Sequence, residues 1–192
     1  FRSHAITTTT KSGGKGGGGS KTKHTSYVYT ASLMMAISET PIEDILIVWK
    51  DKNQILPAKV NGVTWSPIDQ LKLELFNGRN NSTWPYLLSN YPNQALSYRY
   101  LAFVAASDYD LGAIASLLNH SFEVKSFIRA SEDLLDANPA DIISDFIRHP
   151  RYGAAPSLVV NNLREFRAYC GAANLFFSPA MIEQRDATEI IE

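Results

Sequence analysis

Hydrophobic and polar positions change their period part-way along this chain. From Tyr27 to Ser38 they alternate, with Tyr27, Tyr29, Leu33, Met35 and Ile37 on one face and Thr30, Ser32 and Ser38 on the other. That pattern predicts a long strand, with a helix over Ala31 to Ile37 as the rival reading. A turn at Ser38 to Ile42 leads to a second apolar run at Ile45 to Trp49, and Asn61-Gly62 between Val60 and Val63 is a two-residue hairpin signal. Leu71, Leu73 and Leu75 alternate with Lys72 and Glu74, predicting a half-exposed strand that ends at Asn77-Gly78. Tyr98 to Ala106 is a continuous apolar and aromatic run, the pattern of a strand covered on both faces, with Tyr100, Leu101, Phe103 and Val104 as its expected core. Ser121 to Val124 predicts one more short strand.

After Phe127 the period lengthens to three or four. Asn138 is placed to cap a helix, Pro139 suits its first position and Asp141 its first turn. Ile142, Ile143, Phe146 and Ile147 share a stripe, Arg148 and His149 occupy the last turn, and Pro150 forbids continuation. A second helix over Leu163 to Ala173 opens at Asn161 or Asn162, followed by a short buried strand or turn at Leu175 to Phe177. The fold class expected is α+β. A β-rich part over 27–128, barrel- or sandwich-like, precedes a helical part over 129–192. Residues 1–26, rich in Gly, Thr and Lys, have almost nothing to bury and are expected to form a flexible connector.

Charge narrows the possibilities. Eighteen basic and nineteen acidic side chains leave a net −1, which gives no general surface for nucleic acid. No apolar run reaches the roughly eighteen residues of a membrane span. The single cysteine, Cys170, excludes an internal disulfide framework and suits a small buried hydrophobe in a helix. The chain has the marks of a piece, beginning at Phe1 and ending at Glu192 within a helical pattern opened by Asp186.

Catalytic signals are thin. His4, His24, His120 and His149 are scattered without metal-ligand spacing, and no Gly-x-Ser-x-Gly elbow occurs. Asp108 and Asp110 flank Tyr109 in an expected strand-to-loop turn, where solvated carboxylates are the ordinary outcome and a hard-cation site the rival. The expectation is therefore no enzyme, no cofactor and no metal. Trp65, Trp84, Tyr86 and Tyr91 lie in Pro- and Asn-rich sequence, where aromatics either anchor partners or pack beneath their own loop.

Separated blocks along the chain carry a resemblance. The Gly-, Ser- and Lys-rich segment ending in His24-Thr25, the turn Glu39-Thr40-Pro41-Ile42, the stretch Ser121 to Val124, Asn138 to Asp145 followed by His149-Pro150-Arg151-Tyr152-Gly153, and Phe177 to Ala180 with Glu183-Gln184-Arg185 occur in this order. Together they resemble the tail-tip hub proteins of long-tailed bacteriophages, both lambda-like host-specificity proteins and the hubs of gene-transfer-agent-like particles. Thr40 stands where that family usually has glycine, and His120 where proline is common. The resemblance implies a fragment of a larger multidomain hub, a homotrimer that closes the tail tube, contacts a ring of distal tail proteins and other tail-tip proteins, and positions host-attachment parts. It implies assembly in the bacterial host cytoplasm and residence in the virion, with Arg151, Tyr152, Trp84 and Tyr86 as subunit contacts. The alternative from another class is a carbohydrate-binding or cell-wall-hydrolase-associated module.

Overall fold

A computed structural model describes residues 2–12, 20–131, 134–150, 153, 157, 159 and 161–179. It is an α+β structure, strands first and helices after, in two compact units, Phe1–Lys125 and Ser126–Glu192. The described strands do not close into a barrel: the larger sheet is open, with order β1-β2-β8-β7. It comprises β1 (Arg2–Ser12), β2 (Ser20–Ser38), β7 (Glu74–Phe76) and β8 (Ala102–Gly112), every neighbour antiparallel. A second sheet has the order β4-β3-β9, from β4 (Asn53–Ile55), β3 (Ile42–Lys50) and β9 (His120–Ser126).

The centre of the N-terminal unit is β8. Ala102 to Ala106 are buried without interruption, so the continuous apolar run does mark a strand covered on both faces. Register explains how the two faces are filled. Leu33 pairs with Ala106 and Met35 with Val104, and this face packs on Ile42, Ile45 and Val48 of β3. Met34 pairs with Ala105 and Ala36 with Phe103 on the opposite face, which Phe76, Trp84 and Leu87 cover. Phe103 stacks on Phe76 with ring centroids 4.5 Å apart. The helical rival for Ala31 to Ile37 is thereby excluded.

Tyr100 departs from the expected core, for it is 65% exposed. The strand begins only at Ala102, because Tyr98 (φ 46°) and Tyr100 (φ 67°) adopt left-handed backbone conformations that break the pleat. Leu71 and Leu73 depart as well. Ser66 and Asp69 form a reciprocal capping box with Pro67 at the first position of α1 (Pro67–Gln70), the turn at Leu71 and Lys72 closes that helix, and only Glu74–Phe76 is extended. The hydrogen bonds from Ser66 also lower the Asp69 carboxyl below its ordinary pKa. The Asn61-Gly62 hairpin joins β5 (Ala58–Val60) to β6 (Val63–Trp65), with both turn residues at positive φ as a primed two-residue turn requires.

Residues 2–12 and 20–26, expected within a flexible connector, are instead strand: Arg2 pairs with Thr30 and Ser12 with Ser20 along one antiparallel register. Threonine explains the difference. Its β-branch favours extended backbone, and ladder hydrogen bonds form without an apolar face. Gly13 to Gly19, the centre of that expectation, lie outside the described residues.

In the C-terminal unit, α3 (Pro139–Arg148) starts as its punctuation predicts. The Asn138 side chain accepts from the Ala140 backbone N–H at 3.0 Å, and Asp141 and Arg148 occupy the first and last turns. Helix α4 (Leu163–Ala172) follows Asn162, whose backbone is left-handed (φ 56°) and whose side chain makes no capping hydrogen bond, and it carries buried Cys170. The buried Asn138 also donates to the Arg167 carbonyl at 3.1 Å, and Arg167 Nη1 meets Asp141 Oδ1 at 2.7 Å, which ties the two helices together. Ala137 and Phe177 form an isolated bridge, but Leu175 and Phe177 are exposed rather than buried as expected. The backbone N–H of Gly153 donates to His149 O at 2.8 Å in a turn so close that an added Cβ would lie 2.5 Å from that oxygen.

Two outcomes follow from this packing. Phe103→Ala is expected to lower stability by about 3–4 kcal/mol, because it empties a buried, stacked position. A denaturant titration showing a loss under about 1 kcal/mol would place β8 at the surface instead. Gly153→Ala is expected to destabilise the C-terminal unit by about 1–3 kcal/mol through overpacking against backbone that cannot yield. Unchanged helical ellipticity and melting temperature would show that this turn opens freely.

Candidate interaction surfaces

The aromatic loop residues separate by burial. Trp84, at 3% exposure, precedes α2 (Pro85–Asn90), and its Nε1 donates to Glu74 Oε1 at 3.3 Å. Its ring lies 4.8 Å from that of Tyr86, whose hydroxyl hydrogen-bonds with Ser32 Oγ at 2.8 Å. Trp84 therefore closes the outer face of β8 and is withdrawn from the set of subunit contacts, since a ring needed to cover Phe103 and Ala105 is not free to anchor a partner. Tyr86 is half-buried in the same cluster. Tyr91 and Trp65 remain exposed. Arg151 and Tyr152 lie outside the described residues.

A second surface arises from strand lengths. Among the described residues, strand β2 pairs with β8 only from Tyr29 to Ser38, while its earlier half, from Ser20, has β1 as its single neighbour. The result is a two-stranded ribbon that continues beyond the sheet for about 30 Å at the usual strand rise. Most of its described side chains are polar or exposed, Ile6 and Tyr27 among the exposed ones, while Val28 is half-buried next to the sheet. Cross-strand threonines Thr7 and Thr25 meet at 3.5 Å, and Ser26 Oγ donates to the Ile6 carbonyl at 3.4 Å, so the ribbon is held by ladder bonds and weak hydroxyl contacts. Two strands without a hydrophobic face are marginal alone in water.

A third grouping, Tyr109, His120 and Lys50, combines burial with titratable chemistry. His120 Nδ1 lies 2.8 Å from the Leu118 carbonyl, which can only accept, so Nδ1 carries the proton and Nε2 accepts from the Tyr109 hydroxyl at 2.7 Å. Burial and then the neighbouring Asp110 charge push the Tyr109 phenol up to about 12. Burial, partly offset by the Leu118 carbonyl and reinforced by the Lys50 charge, lowers the His120 pKa. Lys50 Nζ sits 4.9 Å over the Tyr109 ring and donates to the Asp110 carbonyl at 2.9 Å. A phenol held protonated and enclosed is a donor that pins β8 to β9, not a nucleophile.

Asp108 and Asp110 lie inside β8 rather than in a turn, both exposed because the inward position between them belongs to Tyr109. Asp110 Oδ1 accepts from the Gly112 N–H at 2.7 Å. Among the described residues there is no group of three or more His, Cys, Asp or Glu able to hold a metal ion, and no helix long and apolar enough to cross a membrane. Sequence reasoning missed the ribbon and the Tyr109–His120 link. The run of four β-branched residues from Thr7 to Thr10 could have signalled the first; nothing local signals the second.

No protein-family model matches the chain, and the comparison with curated proteins gives no match.

Amide exchange distinguishes ribbon from core. In the isolated chain, amides of His4 to Thr8 are expected to exchange at least about a hundred-fold faster than those of Phe103 to Ala106, which wait for global opening. Equal protection in both segments would show the ribbon to be self-supporting. The lowered His120 pKa sets a sign for pH dependence. Its neutral form contributes stability fully above the ordinary value of about 6.5, and that contribution is lost as pH falls through the lower folded value. The denaturation midpoint should therefore drop between about pH 7.5 and 5. The drop should shrink in His120→Asn, and an identical pH slope in both proteins would remove His120 as its cause.

Proposed function

We propose that this chain is a structural part of a bacteriophage tail tip, a piece of the central hub that closes the tail tube and positions host-attachment parts in the virion. The observation that carries the reading is the β1–β2 ribbon, which needs neighbours to be stable and is therefore the kind of element an assembly orders. The sequence blocks that resemble tail-tip hubs support the same reading, including His149 to Gly153, whose glycine leaves no room for a Cβ beside the His149 backbone. In this proposal the chain is not an enzyme, and its partners are two further copies of itself, a ring of distal tail proteins and other tail-tip proteins. Arg151 and Tyr152 are the proposed subunit contacts, with Tyr86 in a lesser role. Both Arg and Tyr are favoured where interfaces concentrate their binding energy.

The alternative, a carbohydrate-binding or cell-wall-hydrolase-associated module, draws its support from exposed aromatics such as Trp65 and Tyr91. Sedimentation at tens of micromolar together with electron microscopy of the native particle separates the two. The tail-tip reading expects a threefold assembly, and Arg151→Ala combined with Tyr152→Ala should leave the chain folded while weakening that assembly about ten-fold or more. A monomer in solution with no threefold particle would overturn it.

A further inference from the structure

The β5–β6 hairpin presents an aromatic ring to solvent. Register sets Trp65 on one face with Ala58, Val60 and Val63, and Trp65 is 45% exposed, its indole N–H without an acceptor among the described residues. Gln70 fixes this face, since its Nε2 donates to the Leu56 carbonyl at 2.7 Å and the Trp65 carbonyl at 3.3 Å and so ties both ends of the hairpin to α1. Helix α1 then stops in a Schellman closure: the Leu73 N–H donates to the Ile68 carbonyl at 2.9 Å, and the Lys72 N–H to the Asp69 carbonyl at 3.0 Å. That closure needs a left-handed residue, which Lys72 supplies at φ 56°. Glycine is the stable choice there. Lysine has neither its freedom nor the short polar side chain that eases Asn61 and Asn162 into the same region. Conformations of this cost cluster at sites that use the residue, and the Lys72 ammonium has no partner among the described residues.

Trp65 and Lys72 border one groove of about 510 Å³, together with Val63, Asp69, Leu73 and Glu74. We infer that this groove binds a neutral saccharide. The face of an indole carries the negative part of its quadrupole and suits the weakly positive C–H face of a pyranose ring. Lys72 offers donors, and the two carboxylates offer acceptors. Asp69 uses Oδ2 for the Ser66 N–H and hydroxyl, and Glu74 uses Oε1 for the Trp84 indole, which leaves Asp69 Oδ1 and Glu74 Oε2. Sugar hydroxyls both donate and accept, so a lining of mixed sign fits them. The same lining disfavours ions, since the carboxylates repel an anion and the ammonium repels a cation. The volume is that of a small-ligand site. The groove lies within one copy of the chain, so this inference stands apart from the tail-tip reading.

The test titrates the full chain with maltotetraose, cellotetraose and N-acetylchitotetraose, beside a uronate tetrasaccharide, tetramethylammonium and a valine- and leucine-rich heptapeptide. Amide and indole spectra locate binding, and calorimetry gives the affinity. At least one neutral sugar is expected to shift the Trp65 indole N–H and the amides of 63–65 and 72–74. Trp65→Ala should weaken that sugar by at least about ten-fold while the chain stays folded. Lys72→Gly should weaken it by about five-fold or more while preserving or raising the melting temperature, because glycine is at ease at that φ. A variant that keeps or gains stability and loses affinity separates recognition from folding. The inference falls if no neutral sugar moves these signals, or if both variants bind as the parent does. It falls too if the uronate or tetramethylammonium binds as tightly as the best neutral sugar, or if the heptapeptide binds more tightly, since exposed Val60 and Val63 then mark a protein contact.

Discussion

The N-terminal unit depends on one constraint: β8 must be covered on both faces. Its buried run from Ala102 to Ala106 leaves no polar side for water, so the strand requires β3 beneath one face and the Trp84–Leu87 segment above the other. The small residues make this double cover workable. Alanines at 102, 105 and 106 let neighbouring elements approach, while Phe103 and Val104 supply the volume. The loop containing Trp84 is thus a lid on the core, and its tryptophan has a packing role before any other.

Polar side chains do a different job from the apolar ones. Asn81, Asn138 and His120 each engage main-chain groups outside their own strand or helix, and each fixes a place where chain direction changes. Hydrogen bonds of this kind add little net free energy but are costly to leave half-made, so they select one arrangement among several of similar packing quality. The ion pairs matter less. Arg167 with Asp141 and Lys125 with Glu43 are partly exposed, and pairs of that kind contribute on the order of 0–1 kcal/mol each.

Stability is consequently distributed unevenly, and that bears on function. Core strands can open only with the whole unit, whereas the β1–β2 ribbon has ladder bonds and little else to hold it. An element of this kind is cheap to reshape on association. The strained loop at Tyr98 to Leu101 is the opposite case, a conformation enforced rather than permitted.

Local rules carried much of the architecture. Period-two alternation in β2, the Asn61-Gly62 turn and the complete punctuation of α3 were legible because each is decided within a few residues by backbone sterics, capping and side-chain direction. The Ser66-Asp69 capping box is equally local, and it competes with the leucine alternation that follows it. What the sequence could not decide was partnership. Whether Trp84 faces solvent or Phe103, whether Tyr100 continues β8 or leaves it, whether Thr7 near the start pairs with Thr25, and whether Tyr109 meets His120 all depend on contacts between segments distant in sequence. The free energy of those contacts exists only once the two faces of β8 have been covered, so tertiary structure alone assigns them.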